Sequence, residues 1–416
     1  MSGGADELVC DVSYTQPVTT VTVVRSDRRH RAGFLIVLVA LVVFLIGASA
    51  PSPFYPVLQE RIGFSAATMT LIFAVYAVAM LVTLLFTGSL SDHVGRRPVI
   101  AAGLLILSVS MVAFWHAESV TVLVTARVVQ GCGAGLLLSS MSAAIVDLEP
   151  VERPGIGAIA NSVTPLAGLA VGGLVSGLVL DHVDGALTAV FGTLTALFVL
   201  LAVLVWVAPE TSARRVGALR SLRPAVGVPP QARAACGLAL PALIAGWATS
   251  GYYLSLGAPL VAQELGGSSH LAQGLVITVI NGAGAAMCFV ARHWSGRSVT
   301  LYGTTTLAVG TALTLVALAF GSLPWFLLAA LFAGTGFGAS FMGIMRSITP
   351  LAPPHRRGEL FAAVFIASYL AFGIPAVLAG FAVGEFGLRT TSLVYGAVVV
   401  ALAGTAAGLR RFGSAD

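Results

Sequence analysis

One charged residue stands inside a long apolar stretch, where a charge is costly. Arg127 is the one charged residue between Glu118 and Asp147. An arginine in the middle of a membrane-crossing helix costs about 2.5–3.5 kcal/mol to insert. Gln130 follows one helical turn later, and the adjacent Gly131 lets a second helix approach closely. We therefore expect Arg127 to face a cavity, to pair with a polar group such as Gln130, and to serve function rather than packing.

A second group of charges lies in a short segment between two apolar stretches. It reads GSLSDHVGRR and runs from Gly88 to Arg97. Asp92 can pair with Arg96 and Arg97 or cap a helix N-terminus, and Gly95 permits a tight turn. Because such charges can hold helix ends together in one conformation, we expect this loop to act as a latch.

The elements that position these residues are apolar. Of the 416 residues, 57% are hydrophobic and only 9% are charged, and the mean hydropathy is +0.95. Soluble domains carry about 25% charged residues, so a soluble globular fold is excluded. Disorder is excluded because disordered chains are polar. Four cysteines in a chain of this length are too few for a disulfide framework.

The charge-free stretches predict the number of membrane crossings. A crossing helix needs about 20 apolar residues. One stretch is long enough for two helices with a turn at Gly321, and the run through Arg127 adds another, which predicts an all-α membrane protein with twelve transmembrane helices. The stretches free of Asp, Glu and Arg are 32–59, 62–91, 98–117, 154–180, 185–209, 234–263, 265–291, 298–345, 360–384 and 390–409.

The arginines predict the orientation. All 22 basic residues of the Lys and Arg type are arginine. With both termini in the cytoplasm, 19 of them fall in cytoplasmic segments, whereas Arg61 and Arg389 fall outside and Arg127 lies in a span. Positive residues concentrate on the cytoplasmic side, so we expect a multi-pass protein of the inner (plasma) membrane with both termini cytoplasmic. Since topology explains the basic residues, no nucleic acid partner is expected.

Landmarks in the first half of the chain recur in the second. The glycine-rich run that starts at Gly131 matches the run that starts at Gly334, an offset of 203, and Gly95-Arg96 matches Gly296-Arg297 at an offset of 201. These matches predict two six-helix repeats around a central cavity. The predicted divisions are a disordered cytoplasmic tail (1–31), an N-terminal half (32–208), a cytoplasmic linker (209–235), a C-terminal half (236–411) and a second cytoplasmic tail (412–416).

The loop from Gly88 to Arg97 resembles the signature of the major facilitator superfamily, G-x-L-S/A-D-x-x-G-R-R/K, at every defining position. The run that starts at Arg127 and includes Gln130 and Gly131 resembles R-x-x-Q-G-x-G in span four of that family's proton-coupled exporters. The resemblance implies an efflux transporter of the drug:proton antiporter kind that works by rocker-switch alternating access. It also implies gating at the signature loop and coupling at span four.

A third motif of these exporters, G-P-x-x-G-G in span five, is incomplete. Gly168, Gly172 and Gly173 are present, but the proline is absent, and Pro165 lies three residues before the motif. We expect this segment to take part in transport all the same.

The predicted substrate follows from the charges that the spans lack. No aspartate or glutamate lies in the middle of a span, so a buried cation would have no counter-charge. We therefore expect small neutral or anionic amphipathic molecules to be the substrate. The polar residues expected to line the cavity are Asn161, Thr164, Tyr252, Asn281 and Tyr369.

Other functions remain as alternatives. A proton-linked importer of a small metabolite would share the fold. A membrane-embedded enzyme or a sensor is disfavoured because the spans hold no His/Asp/Glu cluster and no folded soluble domain is predicted. Without lysine the chain cannot form a Walker-type ATP site. We expect no metal or cofactor, a proton gradient as the energy source, and a monomer in the bilayer.

Overall fold

A computed structural model describes residues 24–212, 217, 222, 224–353 and 356–412. Most of these residues are helical and none of them lies in a strand, and twelve helices are long and apolar enough to cross a membrane. The predicted all-α fold with twelve transmembrane helices is therefore confirmed. The main helices are α1 Val24–Ser49, α2 Ala66–Thr87, α3 Arg96–Trp115, α4 Val120–Asp147, α5 Ile156–His182, α6 Thr193–Leu204, α7 Arg233–Glu264, α8 His270–Val290, α9 Gly296–Ala319, α10 Leu323–Ile348, α11 Arg357–Phe386 and α12 Leu388–Phe412.

The helices extend beyond the apolar stretches that predicted them. α1 starts at Val24, so the last eight residues of the tail predicted as disordered are helical. A helix that leaves the bilayer keeps its internal hydrogen bonds in water, and charged side chains do not end it. α7 starts at Arg233, inside the predicted linker. Residues 1–23 and 413–416 of the predicted tails lie outside the described residues.

The first crossing is built from three pieces. After α1 the chain continues through a 3-10 turn, Ser52–Phe54, and a short helix, Tyr55–Ile62. Prolines at positions 51, 53 and 56 break the helical hydrogen bonds here. This segment, 52–62, is called the first-span extension below, and it brings Tyr55 into the interior.

Twelve crossings bring both ends of the described chain to one side of the helix bundle. We call this side the terminus face; it carries the loops 88–95 and 148–155. The opposite face carries the loops 183–185 and 265–269 and the first-span extension.

Two helix pairs make the largest contacts between the first six crossings and the last six. α2 packs against α11, and the rings of Phe73 and Phe372 lie 5.2 Å apart there. α5 packs against α8, where the Thr278 hydroxyl donates to the carbonyl oxygen of Ala170 at 3.0 Å. We call the first six crossings the N-terminal group of helices and the last six the C-terminal group. The signature loop, Gly88 to Arg97, lies on the terminus face, and Arg127 lies within the N-terminal group.

Candidate functional site

Arg127 is enclosed in the protein. Its side chain is 0% exposed. The Nε atom donates to the Tyr55 hydroxyl at 2.6 Å, and the Nη1 atom donates to Oε1 of Gln130 at 2.6 Å. Gln130 in turn donates through Nε2 to the carbonyl oxygen of Gly47 at 2.9 Å. The span-four pair expected from the sequence therefore forms, and it is tied to the first crossing.

Four aromatic rings surround the guanidinium. Its central carbon lies 5.2–5.5 Å from the ring centres of Tyr55, Phe73, Tyr76 and Phe114. A cation is attracted to ring faces at this distance, more strongly when water is excluded. The Nη2 atom is buried without a hydrogen-bond partner. This enclosure, called the arginine cage below, holds the charge with neutral groups.

The arginine cage changes one expectation. We expected Arg127 to face a cavity, yet in this conformation the guanidinium touches only protein. The reason is that the first-span extension folds Tyr55 over it while α2 and α3 supply the other rings. Any influence of this charge on a substrate must therefore act across low-dielectric protein rather than by contact.

The signature loop is held by charges of its own group of helices. Asp92 pairs with Arg96 at 3.0 Å, and Arg96 donates through Nε to Asp147 at the end of α4 at 2.6 Å. Arg97 donates to the carbonyl oxygens of Trp206 and Ala208 at 3.2 and 3.1 Å. The loop therefore ties together the terminus-face ends of α3, α4 and the sixth crossing, Thr188–Val207.

Glu210 is part of this network, and the sequence analysis did not single it out. Its carboxylate accepts from the backbone N–H of Arg96 at 2.8 Å and of Arg97 at 3.2 Å. Gly95 has a φ of +109°, which glycine adopts far more readily than other residues. A Cβ at this position would also lie 2.8 Å from Glu210 Oε2, so both the backbone conformation and the space favour glycine. One signal was available: Glu210 is the first acidic residue after the sixth apolar stretch.

The pKa of Glu210 reflects two opposed effects. Partial burial raises it, but the N–H donors of Arg96, Ser212 and Arg97 and the charge of Arg97 together hold the pKa below its ordinary value. Because the carboxyl pKa is lowered, the contact stabilises the fold at pH values above the ordinary glutamate pKa of about 4.3. This stabilisation is lost as the pH falls through the lowered pKa.

We expect Glu210→Gln to lower the free energy of unfolding by about 1–3 kcal/mol at neutral pH. Glutamine keeps one of the two acceptor oxygens of the carboxylate and loses its negative charge. The midpoint of thermal unfolding, followed by tryptophan fluorescence, measures this. Acidification below the ordinary glutamate range should reduce the difference between variant and wild type. An equal difference at neutral and acidic pH would contradict the assignment.

The glycines of span five lie on two sides of α5. A Cβ at Gly168 or Gly172 would lie 2.6 Å or less from atoms of α1. Gly173 faces α8 instead, with Ile277 at 3.1 Å. The three residues therefore let α5 touch its own group on one side and the other group on the second side.

The five polar residues expected to line the cavity have different partners in the structure. Asn161 donates to the carbonyl oxygen of Ser142 in α4, Thr164 is buried on α5, and Asn281 donates to its own helix at Ile277. Their role stays a prediction. The remaining two are Tyr252, which pairs with Ser392 within the C-terminal helices, and Tyr369, which lies against Trp247.

Tyr369 belongs to an aromatic cluster that the sequence analysis missed. Trp247 on α7 has ring contacts with Phe341, Tyr369 and Phe372 at 5.1–6.1 Å. Phe372 also contacts Phe73 of the arginine cage. The Nε1 atom of Trp247 is buried and has no hydrogen-bond partner. This set, called the tryptophan cluster below, combines flat apolar surfaces with one free N–H donor next to the junction of the two groups.

The comparisons with known proteins agree with this architecture. The family model described as Major Facilitator Superfamily matches residues 37–374. The chain is 17% identical to the human organic anion transporter MFSD10 (TETRAN), whose solved structure it matches with a TM-score of 0.68 over 91% of this chain and 99% of that one. At this identity the likeness shows the fold.

Two bacterial proteins match parts of the sequence. The Quinolone resistance protein NorA of Staphylococcus aureus is 29% identical over 113 residues, which is 27% of this chain and 29% of NorA. Multidrug resistance protein 2 of Bacillus subtilis is 25% identical over 182 residues, 42% of this chain and 46% of that protein. The chain thus aligns with less than half the length of each of these relatives.

Proposed function

Because the chain belongs to the Major Facilitator Superfamily, a multi-pass membrane transporter family, we propose that it exports small amphipathic molecules that are neutral or anionic. Export is driven by the proton gradient through rocker-switch alternating access. The partial likeness to a quinolone resistance protein and a multidrug resistance protein supports efflux over uptake.

The unpartnered indole N–H of Trp247 carries the substrate proposal. A buried N–H without an acceptor costs about 1–3 kcal/mol. A carbonyl or carboxylate oxygen of a substrate would supply the acceptor, while the rings of Tyr369 and Phe372 would take up its flat apolar part. An ammonium group offers this N–H no acceptor, and because aromatic rings also attract cations, the preference against cations rests on the charges within the spans.

The charges within the spans support the same preference. Arg127 is buried without a carboxylate partner, as described for the arginine cage. Its uncompensated positive field disfavours a second buried cation.

The driving force is sufficient for export. A membrane potential of 100 mV supplies about 2.3 kcal/mol per charge moved, enough for roughly 50-fold accumulation.

The orientation of the protein is part of the proposal. We place the terminus face in the cytoplasm of a cell with this protein in its inner (plasma) membrane, because that arrangement puts 19 of the 22 arginines inside. The signature loop is then cytoplasmic, and Asp92 would latch helix ends during the transport cycle.

Transport into vesicles tests the substrate class. The purified protein in proteoliposomes, given a pH gradient, should move an anionic and a neutral dye against their gradients and leave a matched cationic dye in place. Trp247→Ala should raise the KM for the transported dyes about tenfold, as expected for the loss of one ring contact and one hydrogen bond.

Trp325→Ala is the matched control, because this tryptophan is 66% exposed and lies outside the cluster. Transport of the cationic dye alone would refute the substrate class. Movement of dye in the same direction as protons would favour the alternative, a proton-linked importer.

A further inference from the structure

At the opposite face, one carboxylate of the first six crossings binds the start of a helix of the last six. Asp181 lies in the last turn of α5, and its two oxygens accept from the backbone N–H of His270 and of Leu271, each at 2.8 Å. These are the first two residues of α8. The N-terminal N–H groups of a helix lack partners within the helix, so a carboxylate from another helix satisfies them and complements the helix dipole.

Glycines bring the two helices close enough for this contact. A Cβ at Gly177, one turn before Asp181, would lie 2.7 Å from the carbonyl oxygen of His270. A Cβ at Gly274 would lie 2.4 Å from the carbonyl oxygen of Gly173. Because the two backbones lie this close, the Asp181 carboxylate reaches the first N–H groups of α8.

The side chains around this contact are poorly matched. His270 Nδ1 and Gln273 Oε1 are buried without hydrogen-bond partners, and so is the Oγ atom of Ser176, five residues before Asp181 in α5. Buried polar atoms without partners favour any conformation that hydrates them. We call the contact between α5 and α8 at the opposite face the seam. These side chains therefore add little to the stability of the closed seam.

The start of α8 borders an open cleft. A cleft of about 560 Å³ opens next to it and is lined by residues of the first-span extension, the end of α7 and the start of α8, with His270 and Gln273 among them. Solvent in this cleft can reach the unpartnered atoms as soon as the helices begin to separate.

We propose that Asp181 is the latch that keeps the two groups of helices closed at the opposite face, and that its release from the N-terminus of α8 lets them part there. The proposal rests on alternating access as the proposed mode of transport. Asp181 acts by setting the balance between conformations and touches no substrate.

Cysteine labelling tests the latch directly. In a protein whose four cysteines are replaced by alanine, Ser176→Cys reports opening of the opposite face, because Ser176 is 1% exposed when the seam is closed. Asn161→Cys, in the first two turns of α5 at the terminus face, reports the other side. A bulky, membrane-impermeant maleimide is applied to the protein in nanodiscs, without substrate or pH gradient.

Because Asp181 is exposed, Asp181→Ala should raise the labelling rate at position 176 about two- to fivefold and lower it at position 161. Asp181→Asn should give an intermediate rate, because its amide keeps one acceptor. Asp184→Ala is the matched control, since this exposed aspartate in the adjoining loop makes neither contact.

Equal labelling at position 176 in the Asp181→Ala and Asp184→Ala variants would overturn the latch. A rise at both reporter positions would also overturn it, since that marks a loosened fold rather than a shifted balance. The assay involves no transported molecule, so a wrong substrate class leaves its outcome unchanged, and transport of the expected dyes with unaltered labelling would refute the latch alone.

Discussion

Arg127→Met is expected to reduce transport at least tenfold while changing the free energy of unfolding by no more than about 2 kcal/mol. Two opposed effects produce the small change in stability. Replacing a buried charge with an apolar side chain of similar volume is often neutral or stabilising. Tyr55 and Gln130 each lose a donor, which costs about 1–3 kcal/mol per group left unpaired.

The loss of transport follows from the way the charge is held. Arg127 is 0% exposed and is bound by neutral groups, an arrangement that packing alone would not favour. Arg127→Lys should restore transport in part, because an ammonium keeps the charge but lacks the planar donor fork. Transport rates in proteoliposomes and thermal unfolding of the same samples measure both effects.

The matched anionic and cationic dyes separate two roles for this charge. If the field of Arg127 sets the charge preference, Arg127→Met lowers the ratio of anionic to cationic dye transport and Arg127→Lys preserves it. An unchanged ratio with lower overall activity would assign Arg127 to coupling instead. A large loss of stability in the methionine variant would contradict the functional reading altogether.

Asp92→Asn is expected to reduce transport at least tenfold with the fold intact. The side chain is 51% exposed, and exposed ion pairs contribute about 0–1 kcal/mol to stability. Arg96 keeps its second partner, Asp147, so the loop stays in place. What the variant removes is the negative charge that would engage helix ends as the terminus face closes.

Glu118→Gln is the matched control for this variant. Glu118 forms an exposed ion pair with Arg61 at 4.0 Å on the opposite face, so it tests the loss of a surface charge without the signature loop. Wild-type transport by Asp92→Asn at equal protein amount would refute the latch role of the loop. A marked fall in its unfolding midpoint would make the residue structural.

Local patterns in the sequence were sufficient for the fold and for part of the site. Charge-free stretches of about 20 residues predict membrane helices because a charge in the bilayer is costly. The pair of Arg127 and Gln130 was predictable because residues three apart share a helix face. The loop at Gly95 was predictable because its glycine and flanking charges are adjacent in sequence.

Contacts between distant segments were not predictable in this way. Tyr55 reaches Arg127 across 72 positions, and Glu210 reaches Arg97 across 113. Each contact depends on how helices pack and where a broken helix turns, which no single segment specifies. The partners of the polar cavity candidates were not predictable for the same reason: the Asn281 amide donates to its own helix at Ile277.

Phe73 lies between the buried charge and the boundary of the two groups of helices. Its ring centre is 5.2 Å from the guanidinium carbon of Arg127, and it is equally 5.2 Å from the ring of Phe372 across the boundary. If α2 and α11 separate, water replaces Phe372 on one side of a ring whose other side shields the charge. The solvation energy of Arg127 then differs between conformations. The buried charge therefore contributes to the free-energy difference between the closed and the separated arrangement of α2 and α11.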